Sequence, residues 1–267
     1  MHNIPLASVD AVARPLLAIS TDYAPGTLLD THSHRRAQVL YGMSGLMEVE
    51  TDDGAWVIPP FSGVWIPAGK PHRVRMQGVS TRSLYIEPAA APRQGRHCEA
   101  LVVSALLHQL LLASITMEAL YDEQGRDGAL AQLLMHEVRQ APTMPLFAPI
   151  PQDLLLAARC KAFLKAPQIR AAPEAWAAQL HKSLRSFNRH FRQQTGMSFG
   201  AWRQQACLLA ALPRLAGGQS VTQVALDLGY DSPSAFSTMF RKRLGRAPSG
   251  FMRAASSGNE NPPGTAQ

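Results

Sequence analysis

The sequence predicts an α+β chain of several domains: a small β-barrel or sandwich, a helical middle, and an all-α unit built from a doubled motif. Three observations predict it. Short runs rich in β-branched and aromatic residues fill positions 1–90, and Gly or Pro cuts them roughly every eight to twelve positions. From about residue 97 the apolar residues recur at steps of three and four instead. One fourteen-residue pattern then occurs twice near the C-terminus, shifted by 49 positions.

The strand-rich part, residues 1–95, includes "AQVLYGMSGLMEVE", "GAWVIPP" and "GVWIPAG". None of these keeps a helical period, and many short punctuated strands suit a small barrel or sandwich. Trp56, Trp65, Phe61, Tyr41 and Met47 are candidates for the wall of a pocket or for ordinary core.

The helical region spans 96–166. In "ALVVSALLHQLLLASITMEAL" (100–120), Leu101, Ala105, His108, Leu112 and Ile115 fall on one face of an expected helix. The stretch is long enough to cross a bilayer, but His108, Gln109 and Glu118 interrupt it, so no membrane span is expected. Its apolar face exceeds what one helix hides alone, which points to a homodimer contact. "GALAQLLMHEVRQ" repeats the helical habit, "APTMPLFAPIPQD" (141–153) reads as an extended connector, and "DLLLAARCKAFLKA" resumes helix.

The doubled motif lies in residues 167–254. "SLRSFNRHFRQQTG" (183–196) and "SPSAFSTMFRKRLG" (232–245) share a serine, two phenylalanines four apart and a closing glycine. Ser183 and Ser232 are expected to cap their helices, the phenylalanines to bury one face, and Gly196 and Gly245 to end the helix left-handed. A short apolar helix precedes each, "PEAWAAQL" or "VTQVALDL", across three or four turn residues. That is the helix-turn-helix plan. Between the copies "MSFGAWRQQACLLAALPRLAGG" reads as one helix of about seventeen residues, which Pro213 is expected to kink or break. A rod of about 25 Å would suit two recognition helices in successive major grooves.

Charge supports a polyanionic partner. Residues 167–254 hold twelve Lys/Arg against Glu174, Asp227 and Asp231, a net +9 within a chain whose total is +7. In the first copy the outward residues are Arg185, Ser186 and Arg189, with Arg192 behind. Arginine suits bidentate contact with guanine, so Arg185 and Arg189 are expected to carry most of the sequence reading. In the second they are Pro233, Ser234, Ser237 and Thr238, followed by Arg241, Lys242 and Arg243, richer in phosphate-binding donors than in base readers. Three scattered cysteines and an N-terminus without a signal pattern fit a cytoplasmic protein. Residues 255–267, polar and Pro/Gly-rich, are expected to be disordered.

"SVTQVALDLGYDSPSAFSTMFRKRLGRAPSGF" and "SLRSFNRHFRQQTGMSFGAWRQQ" resemble the two halves of the DNA-binding domain of AraC/XylS-type transcriptional regulators, over about residues 168–252. The resemblance implies double-stranded promoter DNA as partner, with RNA polymerase a further candidate. Pro233 departs from it, since many relatives carry a polar side chain there. Such regulators often carry an N-terminal sensing domain of the cupin type, and the first 95 residues are similar to one. Gly26, His32, His34, Gln38 and Gly45 resemble the first cupin motif, and Pro67, Gly69 and His72 the second.

His32 and His34, two apart on a strand, point the same way, and Gln38 and His72 join them from neighbouring strands under that resemblance. These four residues can hold a divalent transition metal, line a pocket for a small-molecule effector, or serve structure alone. The family's usual glutamate is Gln38 here, which weakens any catalytic metal. Two other readings stay open: a metal-dependent cupin enzyme with an appended DNA-binding domain, and an effector-independent DNA-binding protein. Against the enzyme, Glu48 and Glu50 alternate along a strand and are expected to face solvent, leaving no clear acid or base beside the histidines.

Overall fold

A computed structural model describes residues 1–251 and divides the chain into two compact units. The first holds residues 1–51 and 58–145. The second holds residues 52–57 and everything described from 146 onward. The expected disordered tail lies outside the described residues.

The first unit is built on an antiparallel sheet in the order β1-β8-β3-β6-β9: Leu16–Tyr23, Val79–Ile86, Ala37–Gly42, Ser62–Ile66 and Glu99–Val102. β2 (Thr27–His32), β7 (His72–Gln77) and β4 (Leu46–Glu50) pair antiparallel in a second sheet. β7 shows the half-buried alternation clearly: His72, Val74 and Met76 turn inward. Arg73 and Arg75 turn outward, in register with Glu50 and Glu48 of β4. Glu48 is not the solvated carboxylate expected of it. It is half-buried, and desolvation raises its pKa, whereas Glu50 is exposed and ion-pairs Arg73 at 2.6 Å.

Two helices cover the far face of the first sheet. α1 (Ala105–Ser114) and α2 (Arg126–Gln140) place Leu107, Leu111, Leu134 and Val138 against Ala37, Val39, Tyr41 and Trp65 in one apolar cluster. Tyr41 and Trp65 are therefore core residues between sheet and helices. The strand period then sends Gln38 and Leu40 to the opposite face of the sheet.

This arrangement corrects the dimer-face expectation. Residues 100–120 are not one helix. β9 ends at Val102, and Ser104 caps α1 by accepting from the Leu107 N–H at 3.0 Å. Leu101 is fully buried in β9, and His108 is buried with its Nδ1 2.6 Å from the Tyr41 hydroxyl. Neither reaches a partner. Ala105 is exposed, Leu112 and Ile115 are half-buried, and Leu106 is the large apolar residue that α1 exposes. The expected helical middle is likewise divided. α1 and α2 share the core of the first unit, and α3 (Leu154–Lys165) belongs to the second.

In the second unit β5 (Gly54–Ile58) pairs through its first residues with β10 (Phe147–Pro149), where Trp56 stacks on Phe147. The expected connector is thus extended, as its prolines require. Helices follow: α3, α4 (Pro173–Gln179), α5 (Leu184–Thr195), α6 (Phe199–Ala216), α7 (Val221–Asp227) and α8 (Pro233–Leu244). α6 runs unbroken through Pro213 to Ala216. The proline, three residues before the helix end, leaves the Leu209 carbonyl without its usual N–H donor but does not end the helix. Trp176, Phe187, Phe191, Phe199 and Trp202 form an aromatic core around the first helix pair, and Tyr230, Phe236, Phe240 and Phe251 one around the second. Among the described residues, no helix is long and apolar enough to cross a membrane.

Candidate nucleic-acid interface and histidine site

The two copies of the repeated motif fold alike. Ser183 caps α5 by accepting from the Ser186 N–H at 3.2 Å, and Ser232 caps α8 by accepting from the Ala235 N–H at 3.1 Å. Gly196 and Gly245 close the helices at φ values of 71° and 70°, where a side chain would be strained. Phe187 and Phe191 lie 5.7 Å apart ring to ring, as do Phe236 and Phe240. The turns differ by one residue. α4 reaches Ser183 through Leu180, His181 and Lys182, with His181 at φ 52°, whereas α7 reaches Ser232 through four residues, with Gly229 at φ 77°.

Burying the phenylalanines leaves a polar face on each second helix. On α5, Arg185, Arg189 and Arg192 are exposed and Ser186 is half-buried. On α8, Ser234, Thr238, Arg241 and Lys242 are exposed and Ser237 is half-buried. The expected basic run loses one member, because Arg243 turns back to Gln204 Oε1 at 3.1 Å and the Ala201 carbonyl at 3.4 Å. Arg170 and Arg214 are ion-paired with Asp231 and Asp227. Along its length α5 thus exposes three arginines, against Arg241 and Lys242 at the end of α8. The far end of α5 is tied to α3: His190 Nε2 lies 3.3 Å from Asp153, and Gln194 Oε1 accepts from the N–H groups of Gln152 and Asp153.

Three of the four residues singled out in the first unit form one cluster. His32 and His72 are register partners on β2 and β7 with ring centroids 4.4 Å apart, and His34 lies 5.0 Å from His72. Each ring presents a nitrogen within 4.8 Å of the others. Every Nδ1 is occupied by a nearby carbonyl: His32 with Asp30 at 2.7 Å, His34 with Arg36 at 3.0 Å, His72 with Lys70 at 2.8 Å. Such bonds fix the ring and tautomer and leave Nε2 as the lone-pair nitrogen. His34 Nε2 is buried without a hydrogen-bond partner. Burial, the largest cause in both, lowers the pKa of His34 and takes His72 down to about 4, so both imidazoles are neutral at pH 7.

Gln38 approaches from the first sheet. It is buried, and its amide nitrogen donates to Ser83 Oγ and the Tyr85 hydroxyl, each at 3.1 Å. The Tyr85 ring in turn lies edge-on to His34 at 5.3 Å. The cluster therefore sits between the two sheets, with His32 at its exposed edge. Ser83 and Tyr85 carry no metal-binding pattern in the sequence. Their inward direction becomes visible only once β8 is paired with β3. Three imidazoles, with a buried, unsatisfied nitrogen on His34, match the donor set of a divalent transition metal. Gln38 is neutral, so the four residues His32, His34, Gln38 and His72 include no carboxylate.

The family described as "Helix-turn-helix domain" matches residues 176–254, and that described as "Cupin domain" matches residues 20–85. The chain is 32% identical over 222 residues to the HTH-type transcriptional regulator NimR of Escherichia coli strain K12, covering 83% of this chain and 81% of that protein. It is 38% identical over 64 residues to the regulatory protein SoxS of the same strain, covering 24% of this chain and 60% of that one. Among solved structures, fatty-acid-bound ToxT from Vibrio cholerae aligns over 89% of this chain and 94% of its own, at 13% identity and a TM-score of 0.37. The DNA-binding domain of AdpA in complex with a target DNA aligns over 38% of this chain and 94% of its own, at 30% identity and a TM-score of 0.35.

Proposed function

The chain belongs to the AraC-type helix-turn-helix transcriptional regulators with an N-terminal cupin domain. We propose that it binds promoter DNA through α5 and α8, one helix in each of two successive major grooves. The observation that carries this reading is the matched pair of serine-capped, phenylalanine-backed helices with exposed polar faces. Arg185, exposed on the first turn of α5, is the base reader, because a guanidinium presents two parallel donors to guanine. Ser186, Ser234, Ser237 and Thr238 stand where they can meet base edges or phosphates. Arg241 and Lys242 hold the backbone. The hydroxyls of Ser183 and Ser232 are engaged as caps, so these two serve by positioning their helices.

The His32–His34–His72 cluster is the effector site, and a divalent transition metal is its occupant. Three fixed Nδ1 bonds and the orphaned His34 nitrogen favour it over a metal-free pocket. His32 of β2, His34 just beyond it and His72 of β7 would hold the ion, which would supply a Lewis-acidic position for an effector. Protein residues hold and orient it, and no catalytic step is assigned. Occupancy biases the regulator between two arrangements, and transcription follows the population. A homodimer, contacting through the exposed edge of α1 (Ala105, Leu106), and a cytoplasmic location complete the reading. RNA polymerase is the partner that either direction of regulation would involve.

Gel-shift of the full chain on the DNA upstream of its own gene, with and without added Zn²⁺ or Co²⁺, tests both halves. Retarded, metal-responsive complexes are expected. Binding to random duplex as tight as to the upstream region would contradict sequence-specific regulation.

A further inference from the structure

A cavity of about 440 Å³ opens in the second unit between α5 and the start of α6. Asn188, Arg189 and Arg192 line it from α5, and Ser198, Gly200 and Arg203 from α6. No carboxylate is among its lining residues. Arg189 and Arg192 have no ion pair or side-chain hydrogen bond among the described residues. Arg203 lies over the Phe199 ring and donates one nitrogen to the Ala171 carbonyl, while its Nε is buried without a partner. Three guanidiniums thus converge on one concavity with nothing to neutralise them. Like charges gathered this way repel and concentrate a positive potential, which an anion relieves. The dipole of the eighteen-residue α6, whose N-terminus lies here, acts in the same sense. Gly200 adds access: a Cβ built there meets nothing within 4 Å.

We propose that this cavity seats a phosphate-type oxyanion. Guanidinium forks match the tetrahedral oxygens of phosphate. The volume exceeds a bare ion and suits a phosphate carried on a sugar or other organic group. Two sources share this chemistry: a backbone phosphate of bound duplex, or a free phosphorylated or inorganic anion. The first rests on the DNA-binding reading above; the second does not. In either case Arg189 belongs with Arg192 and Arg203 as an anion contact, and base reading in the first copy falls to Arg185 alone.

The test uses the full chain and two variants. Gly200→Asp introduces a carboxylate at the cavity, in a first turn where an acid suits the helix dipole and where space is open. Arg192→Gln removes one exposed cation. Fluorescence anisotropy measures affinity for operator and random duplex between roughly 50 and 200 mM salt. Thermal melting measures the response to inorganic phosphate against chloride at equal ionic strength. If duplex fills the cavity, each variant loses on the order of tenfold affinity for both duplexes, leaves their ratio unmoved, and flattens the log–log salt slope by about 0.9. If a free anion fills it, phosphate raises the melting temperature of the parent chain and not of the variants. The proposal is overturned if the variants keep the parent's affinity, slope and phosphate response, or if losses are confined to operator, which would make these residues readers of sequence. A parent chain that binds no duplex would sink the DNA reading, and the phosphate response would still decide the cavity.

Discussion

His32 and His72 face each other across β2 and β7 in register, with ring centroids 4.4 Å apart and each Nδ1 held by a backbone carbonyl. That geometry predicts one tight site for a transition ion. Titration with Co²⁺ should develop visible absorption that saturates at one equivalent per chain. His72→Ala should weaken binding by well over about tenfold, since even indirect partners of a metal ligand are worth that much. Equal Co²⁺ affinity in the parent and in His72→Ala would remove the metal from the account.

The buried imidazoles predict acid sensitivity in the first unit. Desolvation lowers the pKa of His34, His72 and His108 in the folded chain, while the unfolded chain titrates near 6.5. Below that value the unfolded state binds more protons, so stability falls as pH drops. His108 is faced by the neutral Tyr41 hydroxyl and the Phe61 ring, neither of which compensates a positive charge. Melting of the metal-free protein should move to lower temperature between about pH 7 and pH 5. His108→Gln should show a shallower dependence. A pH-independent melt, or one rising toward acid, would show that these rings are not buried neutral.

His181 makes the turn of the first copy in the left-handed region, at φ 52°, where the second copy uses Gly229. A side chain there is strained, and His181 is exposed, with no packing to lose. His181→Gly should stabilise the second unit by about 0.5–1 kcal/mol in urea unfolding. A loss of stability would mean that the imidazole contributes more than its strained backbone costs.

Arg185→Ala should weaken operator binding by about 1–3 kcal/mol while changing random-duplex affinity far less. Comparing it with Arg189→Ala by anisotropy separates the roles of the two arginines. The first should lower the specificity ratio, and the second should lower both affinities together. Parallel losses in Arg185→Ala would assign it to phosphate instead.

The doubled helix pair is legible in the sequence because its determinants are local. Serine caps, phenylalanines four apart and left-handed glycines act within one helix, and all appear where expected. The histidines are visible in the sequence, but β2 ends at His32, so strand alternation does not place His34, and His72 joins only by the pairing of β7 with β2. Two features are not legible. Leu101, Ala105 and His108 keep a helical interval across a strand-to-helix boundary, so periodicity hides the turn at Ser104 and the burial of Leu101 and His108. The cavity draws its arginines from two helices, and neither helix alone shows that Arg203 lies beside Arg189 and Arg192.

Selection of duplexes by the full chain from a randomised pool, followed by sequencing, addresses the paired-reader claim most directly. The account predicts an enriched site with two short elements whose centres lie about 10 base pairs apart, the first G-containing and weakened by Arg185→Ala. A pool that gains no motif, or a single element indifferent to Arg185, would contradict it.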